Sequence, residues 1–136
     1  MLRSVDLKDY MLEKPITISP DSSLLEAVDL ITGNRVSGLC VIGEDGTLLG
    51  ILSELDCLRG ILDATYSQGT VGLVLEHMIT ENINSARISD NIVNVATDML
   101  AKGQRRRPVV SDSNKLVGQI TCRQILAGIR QLGATP

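Results

Sequence analysis

Apolar residues recur along this chain in two rhythms, and the order of those rhythms repeats. Leu24, Leu25, Val28 and Ile31 stand three and four positions apart and mark one face of a helix; Ile92, Val95, Ala96 and Met99 mark another. A polar stretch rich in Asp and Ser precedes each face and supplies oxygens suited to capping it. Upstream, Ile16-Thr-Ile18 and Asn84-Ser-Ala-Arg87 read as short extended pieces. Downstream, strands rich in β-branched residues are predicted at about 39–42 and 47–52, and again at about 107–110 and 115–120. Glu44-Asp45-Gly46 and Asp112-Ser113-Asn114 join them with tight-turn chemistry. A second amphipathic helix closes each set, near 54–62 and 122–131.

The two sets are copies of one unit. Gly50-Ile-Leu-Ser53-Glu-Leu-Asp56 lies over Gly118-Gln-Ile-Thr121-Cys-Arg-Gln124, 68 positions on. Leu24-Leu-Glu-Ala-Val matches Ile92-Val-Asn-Val-Ala, and Met11 matches Met78 with one position less between them. The expected architecture is therefore α/β (α+β), with a β-α-β-β-α repeat over 1–65, a linker over 66–75 carrying Gly69 and Gly72, and a second repeat over 76–136. A three-stranded sheet of this size cannot bury both its faces alone, so the repeats are expected to pack sheet to sheet as one pseudo-symmetric module.

Composition narrows the possibilities. The chain has 136 residues, 43% of them hydrophobic, and Tyr10 and Tyr66 stand alone as large aromatics, with no Phe or Trp, so its interior must be aliphatic. A net charge of −3 offers no general attraction to nucleic acid or to an anionic membrane. The N-terminus lacks the apolar run of a signal peptide, and no apolar stretch approaches membrane-spanning length, so a cytoplasmic protein is expected. Cys40, Cys57 and Cys122 form an odd set without C-x-x-C spacing and read as free buried thiols, with neither a disulfide framework nor a metal site. His77, the single histidine, has no second ligand or nucleophile at usable spacing; Met11, Met78 and Met99 read as core.

Two groups of residues carry potential chemistry. In Gly50-Ile-Leu-Ser53-Glu-Leu-Asp56 a strand runs through a glycine, which permits close backbone approach, into a helix whose first N–H groups are unpaired. A phosphate or ribose suits that place, with Asp56 accepting from both ribose hydroxyls. Ser53-x-x-Asp56 is equally a capping box that starts a helix, as is Thr121-x-x-Gln124. The two readings differ in magnitude: a lost cap costs about 1 kcal/mol of stability, whereas a lost charged acceptor weakens ligand binding by roughly 1.5–3 kcal/mol. The second group, Arg105-Arg106-Arg107 before Pro108, offers forked donors to a phosphate chain, or else a solvated edge.

The duplication, the openings Asp9-Tyr10-Met11 and Glu76-His77-Met78, the strand beginning Arg107-Pro-Val-Val, and the twice-present Gly-x-x-Ser/Thr element together resemble the cystathionine-beta-synthase (CBS) domain family, whose members occur as tandem pairs called Bateman modules. The resemblance implies a non-catalytic regulatory module that binds an adenine nucleotide (AMP, ADP or ATP) in a cleft between the repeats. No cofactor is required. By that resemblance Ser53, Asp56, Ile83, Asn84, Ala86, Arg105, Arg106, Arg107 and Pro108 make the equipped pocket. Thr17, Ile18, Ser37, Gly38, Thr121 and Gln124 make a weaker one, since Gln124 stands where the family has Asp. A homodimer that regulates an enzyme or transporter is implied. The alternative is a constitutive structural dimer without a physiological nucleotide, which Gln124 and the bare Ser37-Gly38-Leu39 favour.

Overall fold

The computed structural model describes residues 2–133; the last three residues of the second repeat, as read from the sequence, lie outside them. The chain divides into two compact units, one made of Ile16–Ile83 and one of Asn84–Pro136 together with Met1–Pro15. Among the described residues each contains one three-stranded sheet, two α-helices and a short 3-10 turn, a mixed α+β architecture.

In the first unit, β1 (Thr17–Ile18) runs parallel to β2 (Gly38–Ile42), which pairs antiparallel with β3 (Leu48–Ser53) in the order β1-β2-β3. Helix α1 (Leu24–Asn34) crosses from β1 to β2, and α2 (Glu54–Ser67) follows β3 directly. Local chemistry sets the helix ends. The Ser23 hydroxyl accepts from the Glu26 N–H at 3.2 Å and starts α1, and Arg35 ends it in the left-handed region at φ 54°. The core is aliphatic: Leu24, Ala27, Ile31, Leu39, Val41, Leu52 and Val74 are buried around Ile18 and Cys57. Full burial of one such Leu or Val stabilises the fold by about 1.5–3 kcal/mol.

The second unit repeats this plan with β4 (Ala86–Arg87), α3 (Ile92–Lys102), β5 (Arg106–Val110), β6 (Leu116–Thr121) and α4 (Cys122–Leu132). Its sheet order is β4-β5-β6, with the register shift between Val109 and Val110 matching that between Val41 and Ile42. Asn91 caps α3 and Gly103 ends it at φ 65°, the position equivalent to Arg35. Ile92, Val95, Met99, Val109 and Ile120 fill the core beside Leu7 and Tyr10.

The openings of the repeats are exchanged between the units. Tyr10 and Met11 open the first repeat in sequence but pack in the second unit, where Leu12 and Gln119 exchange backbone hydrogen bonds at 2.9 Å. In the first unit Ile79 and Ile51 do the same at 2.9 and 3.0 Å. Gly50 and Gly118 make this contact possible: a Cβ on either would lie 2.8 Å from the carbonyl oxygen of Ile79 or Leu12 and against the Met78 or Met11 side chain. The backbone that closely approaches each glycine is the protein's own.

Most element positions match the periodicity, with two corrections. Leu25 is 55% exposed, whereas Leu24, Ala27 and Ile31 form the buried stripe; at about 100° per residue, Leu25 turns a quarter circle away from Leu24. Cys122 is exposed while Cys40 and Cys57 are buried, because Cys122 is the first residue of α4, at the position that Glu54 holds in α2. No helix among the described residues is long and apolar enough to cross a membrane.

Candidate functional site

The head of α2 is built by reciprocal capping. The Ser53 hydroxyl accepts from the Asp56 N–H at 3.1 Å, and Asp56 Oδ2 accepts from both the Ser53 N–H and the Ser53 hydroxyl at 2.9 Å. Asp56 is only 6% exposed. Its other oxygen, Oδ1, receives a 3.3 Å contact from Arg59, a side chain that is 68% exposed. A carboxylate offers about four acceptor positions, so the cap employs one oxygen and leaves most of the capacity of the second. Burial, and secondly the Asp56 charge, push the thiol of neighbouring Cys57 up from its ordinary value.

At the head of α4 the same cap is made without charge. Thr121 Oγ1 accepts from the Gln124 N–H at 3.0 Å and Gln124 Oε1 accepts from the Thr121 N–H at 3.1 Å. In each unit the strand entrance lies beside its own helix head. Gly38 pairs with Ser53, and the Ser37 carbonyl accepts from the Glu54 N–H at 2.9 Å; Arg106 pairs with Thr121, and the Arg105 carbonyl accepts from the Cys122 N–H at 2.9 Å. Thr17 and Ile18 lie in register with Cys40 and Val41, and Ala86 with Val109.

The equipped pocket read from the sequence draws Ser53, Asp56 and Ile83 from the first unit and Asn84, Ala86, Arg105, Arg106, Arg107 and Pro108 from the second. The weaker set is divided likewise, with Thr17, Ile18, Ser37 and Gly38 in the first unit and Thr121 and Gln124 in the second.

The three consecutive arginines have three different environments. Arg105 is exposed, Arg106 half-buried, and Arg107 only 5% exposed. Arg106 and Arg107 are neighbours on β5, so their side chains leave opposite faces of the sheet. Arg107 Nη2 donates to Gln104 Oε1 at 2.6 Å and forms an ion pair with Asp98 Oδ2 at 2.9 Å. Lys102 also reaches Asp98 Oδ2 at 2.9 Å and donates to Asn84 Oδ1 at 3.1 Å. Hydrogen bonds from Lys102 first and Arg107 second hold the Asp98 carboxyl below the usual aspartate range. The sequence reading missed Asp98, Lys102 and Gln104. The repeat alignment held the signal, since Asp98, Gln104 and Arg107 fall opposite Leu30, Val36 and Leu39.

His77 Nε2 lies 2.5 Å from the Val71 carbonyl oxygen, and its ring sits against Gly60, where a Cβ would approach it to 2.8 Å; it is a packing residue. Among the described residues no cluster of His, Cys, Asp and Glu is arranged to hold a metal ion.

Comparison with known proteins identifies the repeat. The CBS domain family matches twice, over residues 7–63 and 74–131. The chain is 29% identical over 85% of its length to the uncharacterized protein MJ1225 of Methanocaldococcus jannaschii, and 29% identical over 87% to inosine-5'-monophosphate dehydrogenase of that organism. It spans only 39% and 22% of those two proteins. Among solved structures, CBSX2 in complex with AMP has a TM-score of 0.83 at 27% identity, covering 94% of this chain and 98% of that one. CBSX2 is a CBS-pair protein from Arabidopsis thaliana. The CBS domain pair of protein MJ0100, in complex with 5'-methylthioadenosine and S-adenosyl-L-methionine, has a TM-score of 0.74 at 26% identity, covering 98% of this chain and 100% of that one. The chain belongs to the CBS domain family and carries two CBS repeats in tandem.

Proposed function

We propose that this chain is a non-catalytic regulatory module that senses an adenine nucleotide. Asp56 accepts from the ribose hydroxyls, Ser53 sets the head of α2, and Arg105 and Arg106 donate to phosphate from the entrance of β5. Ile83, Asn84, Ala86 and Pro108 supply backbone and apolar surface for the rest of the ligand. The observation that carries the reading is the Asp56 carboxylate: it is buried at a helix N-terminus, and among the described residues Oδ1 meets an exposed arginine at 3.3 Å. Support also comes from relatives above one quarter identity whose structures hold AMP or S-adenosyl-L-methionine. With Gln124 in place of an acid and no arginine at Ser37 or Gly38, the second pocket is weak or empty.

In this reading the module acts in the cytoplasm as a homodimer, and ligand occupancy changes its surface toward a regulated enzyme or transporter. Such a response requires different ligand affinities in two states. Thermal shift against AMP, ADP, ATP, S-adenosylmethionine and NADH tests the reading. Stabilisation by an adenosine compound that is lost in Asp56→Asn is expected; indifference to every compound refutes it.

A constitutive interaction dimer is the second reading. Leu55, Leu58 and Leu62 recur at helical spacing on α2 and are 66%, 54% and 47% exposed, an apolar stripe that a permanent partner would cover. Sedimentation separates the readings: this one requires a dimer whose stability and shape are unchanged by any nucleotide.

A further inference from the structure

The second unit holds a buried charge where the first holds hydrocarbon. Leu30, Val36 and Leu39 belong to the apolar core of the first unit. Their equivalents 68 positions on are Asp98, Gln104 and Arg107, joined by contacts of 2.6 and 2.9 Å. Lys102 extends the group to Asn84. The fold does not need this network, since the first unit makes the same packing with leucine and valine. Burying a guanidinium is costly, and Arg107 Nε is buried with no partner among the described residues, which adds to that cost. Apolar replacements for buried ion pairs are commonly neutral or stabilising. Stability alone does not account for the network, which leaves what it positions.

What it positions is specific. Asp98 is on α3, Gln104 and Arg107 flank Arg105 and Arg106, and Asn84 lies just before β4. A single carboxylate oxygen, Asp98 Oδ2, takes both Lys102 and Arg107. We propose that Asp98, Lys102, Gln104 and Arg107 form a clamp that fixes the backbone carrying Arg105 and Arg106, making Arg107 a positioning residue for phosphate recognition and not a phosphate ligand. Asp98 neutralises the two cations it holds. The inference rests on the nucleotide-binding reading; it adds Asp98, Lys102 and Gln104 to its phosphate arm and moves Arg107 from ligand contact to support.

The test rebuilds the first unit's core in the second. The triple variant Asp98→Leu, Gln104→Val, Arg107→Leu is expected to melt at or above the wild-type temperature, while its AMP affinity falls about 10-fold. Affinity for adenosine, which has no phosphate, should change by less than about twofold. A purely structural network would instead lower the melting temperature and weaken AMP and adenosine alike. Lys102→Met provides a second variant at a half-exposed position where folding is not at stake, with an expected loss for AMP of about threefold. AMP binding unchanged in both variants, or equal losses for AMP and adenosine, overturns the clamp. Wild-type protein that binds neither compound refutes the nucleotide reading itself and the clamp with it.

Discussion

Gly118→Ala provides a quantitative test of the exchanged openings. A Cβ there would stand 2.8 Å from the Leu12 carbonyl oxygen and still closer to the Met11 sulfur. The sulfur ends a flexible side chain and can move. The carbonyl cannot, because Leu12 and Gln119 exchange two hydrogen bonds at 2.9 Å across that position. Overpacking of this kind costs about 1–3 kcal/mol, and reduced freedom of the unfolded chain returns about 0.4–1 kcal/mol. The net loss is about 1–2 kcal/mol, which for a chain of this length lowers Tm by about 4–7 °C. Gly33→Ala is the control: a Cβ there meets nothing within 4 Å, the site is exposed in α1, and better helix propensity should raise Tm by about 2–3 °C. Paired calorimetric melts check both values. Gly118→Ala matching or exceeding the wild-type Tm would refute the claim that residues 10–12 dock on the second repeat.

Other outcomes follow from the same geometry. With a thiol-titrating disulfide reagent, Cys122 should react at once in native protein while Cys40 and Cys57 wait for denaturant; Cys122→Ser should abolish the fast phase, and fast reaction of all three would contradict the burial pattern. The Asp98 carboxyl sits below its ordinary 3.8 in the folded protein, so the stability it confers is full above that value and lost as pH falls through the lower native one. The Tm gap between wild type and Asp98→Asn should accordingly be constant near neutrality and close in acid; a gap indifferent to pH would show that the charge plays no part. Asp56→Ala without ligand should lose about 1 kcal/mol as a broken helix cap, read by denaturant titration, and a loss near zero would contradict the reciprocal bonding seen with Ser53.

Much of this fold was legible because its signals are local. Ser23, Ser53 and Thr121 each announce the helix they cap, and the register of Gly50 with Gly118 reveals the duplication. The exchange of openings was not legible, since Gly128 and Gly118, against which Tyr10 and Met11 pack, lie more than 100 positions away and nothing in the local pattern distinguishes packing on the near copy from packing on the far one. The glycine of the helix-head element suggests room for a ligand, whereas it admits the protein's own backbone. The arginine run looked like one patch until strand alternation separated Arg106 from Arg107. Leu25 shows the limit of counting spacings: three-and-four periodicity admits a residue that the helix turns toward solvent.

The central claim, that a nucleoside is held through its sugar by Asp56, is tested most directly by calorimetric titration of the wild-type chain with AMP and with 2',3'-dideoxy-AMP. The account predicts that removing the diol weakens binding about 10- to 150-fold, the effect of losing hydrogen bonds to a charged acceptor. Equal affinity for the two compounds would contradict it.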